Sequence, residues 1–261
     1  MFYITPNLSF NQVQFPYPTT FEIEVHKGNV PNTQIIVKDG INFDFDTGSV
    51  PEDIWDGGGI YTGFPTGAAD NFVAVSTNAG DTGTLYFYYL ADANSTDYQL
   101  ASVVLNGTTP VNTGISGIRC NYAFYQSGSS TTFNLGNISL YHQLTPTTIF
   151  FNMAIGYSQS FCSAITIPKG CVGFIYDGIS SVRGSSGSGI YADGVTWIRK
   201  FGGSPLLSNA YSFNNNSAWI QYLNYTIAVP ENTDFIPRII SVSSNNTIIQ
   251  AQYRIVIQRI S

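Results

Sequence analysis

The chain has 261 residues and a formal charge of −6, with 10% charged and 15% aromatic side chains, where an ordinary soluble domain is about 25% charged. Many aromatics with little charge exclude intrinsic disorder. Ten Lys and Arg against sixteen Asp and Glu exclude nucleic acid as the main partner, since phosphate contacts need cations. No apolar run approaches the roughly 20 residues that span a bilayer, so no membrane partner is expected. The start, MFYITPNLSFNQ, lacks the basic residue and leucine-rich run of a signal peptide. The charge is polarised: residues 1–130 hold twelve Asp and Glu against three Lys and Arg, and residues 131–261 four against seven. That asymmetry would orient copies of the chain on one another or on a scaffold.

In chain order, Pro6, Pro16 and Pro18 predict an extended arm over residues 1–20, because proline lacks the N–H a helix needs. FEIEVH, 21–26, alternates apolar and polar residues as a half-buried strand does. TLYFYYL, 84–90, reads as another strand, and LNGTTPV, 105–111, as a strand end with an Asn-Gly turn. GIRCNYAFY, 117–125, would place Ile118, Cys120, Tyr122 and Phe124 on one face. A Thr-Pro-Thr-Thr seam at 145–148 separates these from ITIPKGCVGFIYDG, 165–178, two strands around a Pro168-Lys169-Gly170 turn. FIPRIISVSSNNTIIQAQYRIVIQ, 235–258, reads as a hairpin with Asn245-Asn246 at its tip. No amphipathic helix of four turns is found. Short β-branched and aromatic runs bounded by Gly, Asn, Pro and Ser predict an all-β chain. The expected architecture is an antiparallel, jelly-roll-like sandwich, one or two of them packed together, with domains at 21–145 and 146–261 after the arm.

Catalytic chemistry finds little support. Asp46-Thr47-Gly48-Ser49 is spelled like the nucleophilic turn of an aspartic protease. That chemistry needs two aspartates sharing a proton, and the second turn is missing, so Asp and Gly here close a β-turn. The acidic stretch 39–56 could offer oxygen ligands to calcium, with Asp44, Asp46, Asp53 and Asp56 as candidates. Its spacing is not that of an EF-hand, and a solvated acidic loop is the reading preferred. His26 and His142 stand in expected strands as rim or surface residues. Cys120, Cys162 and Cys171 are too few for a disulfide framework and read as small apolar core residues. No cofactor motif is present, and the chain reads as non-enzymatic.

Three blocks, EDIWDGGGIYTGFP (52–65), VAVSTNAGDTGTLYFYYL (73–90) and VVLNGTTPVNT (103–113), together resemble a virion structural protein family of tailed double-stranded DNA phages and large marine viruses. The resemblance continues through ITIPKGCVGFIYDG and YTIAVPENTDFIPRIISVSSNN and covers roughly residues 50 to 257. The link between Val75-Ser76-Thr77 and Gly83-Thr84 is shorter here than in the pattern, and the first 45 residues are this chain's own. The resemblance implies a virion component without catalytic residues, assembled in the host cytoplasm. Its expected role is capsid decoration, cement or vertex protein. Expected partners are the major capsid protein, other virion proteins and copies of itself, preferably as a trimer. Phe2, Tyr3, Trp55, Tyr61 and Phe64 are the interface candidates. The alternative is a tail or baseplate protein that binds host glycans through exposed aromatics such as those of TLYFYYL.

Overall fold

The computed structural model describes residues 18–65, 68–128, 133–183, 189–214, 219–221 and 227–260. Every strand pairing among them is antiparallel, and the described residues are all-β apart from one short helix. The helix α1 (Pro18–His26) comes first, followed by β1 (Thr33–Phe45) and the two-residue β2 (Glu52–Asp53).

Residues 70–153 build the first sandwich. Its strands are β3 (Asp70–Ser76), β4 (Thr84–Leu90), β5 (Gln99–Val104), β6 (Val111–Gly117), β7 (Arg119–Gln126), β8 (Ile138–His142) and β9 (Ile149–Met153). They form one sheet in the order β6-β3-β8-β9 and another in the order β5-β4-β7. Strand alternation explains the core: Leu85, Phe87 and Tyr89 point inward from β4 and meet Phe72, Leu140, Phe150, Phe151 and Met153. Phe72 lies at the centre, edge-on to Phe87 and Phe150 with ring centroids 5.5 and 5.2 Å away, the geometry aromatic quadrupoles prefer.

The second sandwich uses β10 (Ile165–Ile167), β11 (Cys171–Arg183), β12 (Tyr191–Lys200), β13 (Leu206–Asn214), β14 (Trp219–Gln221), β15 (Ile227–Val229), β16 (Thr233–Val242) and β17 (Thr247–Arg259). It also takes β1, which pairs with β17 from Thr33↔Gln258 to Phe45↔Thr247, and β2, which pairs with β16. The sheets run β1-β17-β11-β14, with β15 on β11, and β10-β16-β12-β13. The expected division at 145 therefore gives way to a different one. The first sandwich is inserted between β2 and β10 of the second, because the chain's early strands close on its last ones.

Three local expectations are corrected. FEIEVH is helical: over six residues Phe21 and Val25 share a face at either period, and here Val25 is buried while Ile23 faces solvent. Pro18 opens this helix, a position where its missing N–H costs nothing, so the segment expected to be extended ends before it; residues 1–17, with Phe2 and Tyr3, lie outside the described residues. The hairpin expected at 235–258 is instead a crossing between sheets. β16 pairs with β10, β12 and β2, whereas β17 pairs with β1 and β11. Two strands that each alternate around a short turn can face each other across a core as readily as lie side by side. Asn246 does take the left-handed conformation expected at the tip, with φ 53°. In β7 a bulge between the pairs Tyr88↔Tyr122 and Tyr89↔Cys120 breaks the alternation. Cys120, Ala123 and Tyr125 are buried, while Tyr122 and Phe124 turn to the outer face.

Candidate functional site

The stretch WDGGG folds into a local knot of contacts. The Trp55 ring lies over Gly57, where a Cβ would sit 2.1 Å from the ring, and its Nε1 donates to the Gly59 carbonyl at 3.1 Å. Gly58 and Gly59 take φ of +69° and +67°, values that favour glycine. Tyr61 stands edge-on to Trp55 and to Phe64 at 5.1 and 4.8 Å. All three aromatics are buried with Cys162, Ala164 and Ile236. Trp55, Tyr61 and Phe64 thus sit inside the chain at the seam where its two sandwiches meet, not on an outward contact surface. Tyr and Trp suit any buried junction, and the surfaces they join here belong to one polypeptide.

Arg119, unremarked in the sequence, anchors that seam. It is wholly buried, and its guanidinium donates to Thr166 Oγ1 (3.0 Å), the carbonyls of Gly63 (3.2 Å) and Ala164 (3.0 Å), and the Tyr61 hydroxyl. Thr166 in turn donates to Asp234, whose carboxyl burial pushes up to about 6. The extra residue of the β7 bulge, Asn121, exchanges hydrogen bonds with the backbone of Thr166. An arginine between apolar residues in GIRCNYAFY was the available signal, because a buried cation requires several fixed acceptors.

The four calcium candidates do not converge. Asp53 is paired with Arg238 (2.6 Å) and accepts the Tyr61 N–H, and Asp56 accepts the N–H groups of Asn152 and Phe161. Asp46 accepts the Asn246 N–H, pinning the turn closed by Ser49 N–H on the Asp46 carbonyl to the β16–β17 crossing. Asp44 is exposed on the end of β1. Among the described residues no three His, Cys, Asp or Glu side chains are grouped to hold a metal. His142 is buried rather than at a rim, stacked on Phe72 with Nε2 2.8 Å from the Gly117 carbonyl, and His26 ends the helix exposed. The three cysteines are free and buried, and burial pushes the Cys120 thiol up to about 12.

The face of β5-β4-β7 opposite the core is turned outward. Cross-strand register sets three rows: Val104–Thr84–Gln126, Ser102–Tyr86–Phe124 and Leu100–Tyr88–Tyr122. None of the nine carries a charge. Val104 is 63% exposed, Leu100 55%, Tyr122 37% and Tyr88 36%. Tyr86 and Phe124 stack at 4.9 Å with an interplanar angle of 11°. Phe133, Leu135, Ile155 and Tyr157 expose further apolar surface on the loops after β7 and β9.

No protein-family model matches the sequence, nor does any curated protein. Among solved structures the chain is similar to the PBSX exported protein XepA, with 10% identity over 85% of this chain and 86% of that one and a TM-score of 0.20. It is similar to the VP2 protein of infectious bursal disease virus in derived T=1 particles, with 10% identity over 89% and 76% and a TM-score of 0.19. A VP2 subviral particle gives 10% identity over 89% and 78%, with a TM-score of 0.20. Likeness this slight says nothing about function.

At the Tyr88–Tyr122 end of the uncharged face, a cavity of about 390 Å³ opens against residues 34–38 of β1, with Asp97 and Tyr98 on its wall. β1 is the edge strand of its sheet among the described strands. A second cavity of about 220 Å³ adjoins it, sharing Gln34 and Asp97 and reaching Asn32 and Arg259.

Proposed function

We propose that this chain is a non-enzymatic structural protein of a virus particle, a decoration, cement or vertex component that works by adhesion to the capsid shell and to copies of itself. The observation that carries this reading is the uncharged outer face of β5-β4-β7, where aromatic and aliphatic side chains stand on a sheet with nothing charged among them. Burying such a face needs no desolvation of ions, and aromatic residues are the ones that dominate contact energetics. The resemblance in DIWDGGG and LNGTTPV supports the same reading.

The size of the face sets how it would be used. Three strands about 4.8 Å apart, over five residues at about 3.4 Å each, present on the order of 250 Å². A stable interface takes about 800 Å² from each partner. The face alone would hold weakly, so the loop residues Phe133, Leu135, Ile155 and Tyr157 would have to contribute. Repetition around a symmetric shell would then multiply weak contacts into firm attachment; a trimer is the preferred building unit.

Quantitative mass spectrometry of purified particles tests the reading. The expected result is a copy number near that of the capsid subunit, with the Val104→Asp variant released into the supernatant. A handful of copies per particle would place the chain in a tail or baseplate, and absence from the particle would overturn the proposal.

A further inference from the structure

We propose that the paired cavities between β1 and the Tyr88–Tyr122 edge form a binding groove for a neutral oligosaccharide. Such a groove would serve wherever the chain sits in a particle. A pyranose ring offers one face of C–H groups and a rim of hydroxyls, so its binder needs an aromatic floor flanked by planar hydrogen-bonding groups. The groove has both. Tyr88 and Tyr122 have ring centroids 6.3 Å apart and 36° between planes, and each is partly open to solvent. Gln34 and Asp97 lie between this floor and the adjoining cavity, where Asn32 and Arg259 extend the polar wall. Amide, carboxylate and guanidinium groups each present two atoms in one plane, which can engage neighbouring hydroxyls together. A volume of about 390 Å³ falls within the range of pockets that enclose small ligands.

Charge decides between neutral and anionic sugars. Asp97 is ion-paired with Arg259, so the polar wall carries no net charge. Lys38, at the base of the first cavity, is buried and donates to the Asn121 carbonyl. Among the described residues no exposed cation besides the paired Arg259 lines either cavity, so a sialylated or sulfated chain would find no unpaired partner in them.

Saturation-transfer NMR on the full chain, with neutral tetrasaccharides built from glucose, galactose, mannose or N-acetylglucosamine, tests the site. At least one is expected to bind with a Kd of about 1 mM or tighter. Tyr88→Ala and Tyr122→Ala should each weaken it about tenfold, and Gln34→Ala, at an exposed position, about threefold. Tyr88→Phe should retain binding because the floor survives. Leu144→Ser, on an exposed loop away from the groove, should leave it unchanged. Saturation by none of the neutral sugars overturns the proposal. So does binding unaltered by Gln34→Ala and the tyrosine variants, or tighter binding of a sialylated tetrasaccharide than of any neutral one. Absence of sugar binding by the unaltered chain, with its particle attachment intact, would refute this site alone and leave the adhesive role standing.

Discussion

Replacing Arg119 with methionine removes the guanidinium that joins the two sandwiches while keeping most of the side chain's volume. The carbonyls of Gly63 and Ala164 then lose their buried donor, at about 1–3 kcal/mol for each group left unsatisfied. Thr166 Oγ1 loses its donor as well, and Asp234 loses the cation that favours its charged form. Packing of the methionine against Tyr61, whose ring the guanidinium carbon approaches to 4.8 Å, offsets part of this. The expected net loss is about 3–5 kcal/mol, the range found when one partner of a buried charged network is removed. With a denaturant slope of about 3 kcal/mol per molar, the urea midpoint should fall by about 1–1.7 M. Because the damage lies between the sandwiches, unfolding should also separate into two phases when followed by aromatic fluorescence and by far-ultraviolet dichroism. A midpoint within about 0.3 M of the wild type, with one coincident transition, would refute the assignment of Arg119 as the latch.

Gly57→Ala should destabilise the chain by about 1–3 kcal/mol, since its Cβ would meet the Trp55 ring and overpacking costs that much. Thermal melts check this, and Gly48→Ala, where nothing lies within 4 Å, is the matched control. Lowering pH from 7 to 5 should raise stability. Burial lifts the folded pKa of Asp56 and Asp234 to about 6 from 3.8, so the native state holds protons the unfolded chain has released, and stability is lost as pH rises through that window. One pH unit inside it is about 1.4 kcal/mol per group, and a urea midpoint that drops steadily from pH 7 to 5 would contradict the assignment. Leu100→Asp should leave the melting temperature within a few degrees, because the position is exposed, while reducing attachment to purified particles in a co-sedimentation assay.

Much of the fold was legible because alternation is a direct readout of a half-buried sheet. β4 and the strands flanking Gly170 lie where their apolar pattern and turn residues put them, and Gly170 takes φ of +71°. What alternation cannot convey is which strand lies beside which. FIPRIISV and TIIQAQYRIVIQ carry the same pattern whether they pair or face each other, and long-range closure of β1 on β17 decides it. Short segments are ambiguous for a related reason, as FEIEVH shows. The site was less legible. Trp55, Tyr61 and Phe64 were recognisable as anchors, but a sequence does not say whether the second surface comes from a neighbour or from the same chain. The outward set, Tyr86, Tyr88, Tyr122 and Phe124, needed the bulge at Asn121, which turns Tyr122 and Phe124 outward, and the groove needed β1 to arrive beside Tyr88 and Tyr122 from a distant part of the sequence.

The most direct test of the adhesive role is a map of the virus particle at side-chain resolution. Val104, Tyr86 and Phe124 should there be covered by a neighbouring chain. A map in which this face looks onto solvent in every copy, or which has no density for the chain at all, would contradict it.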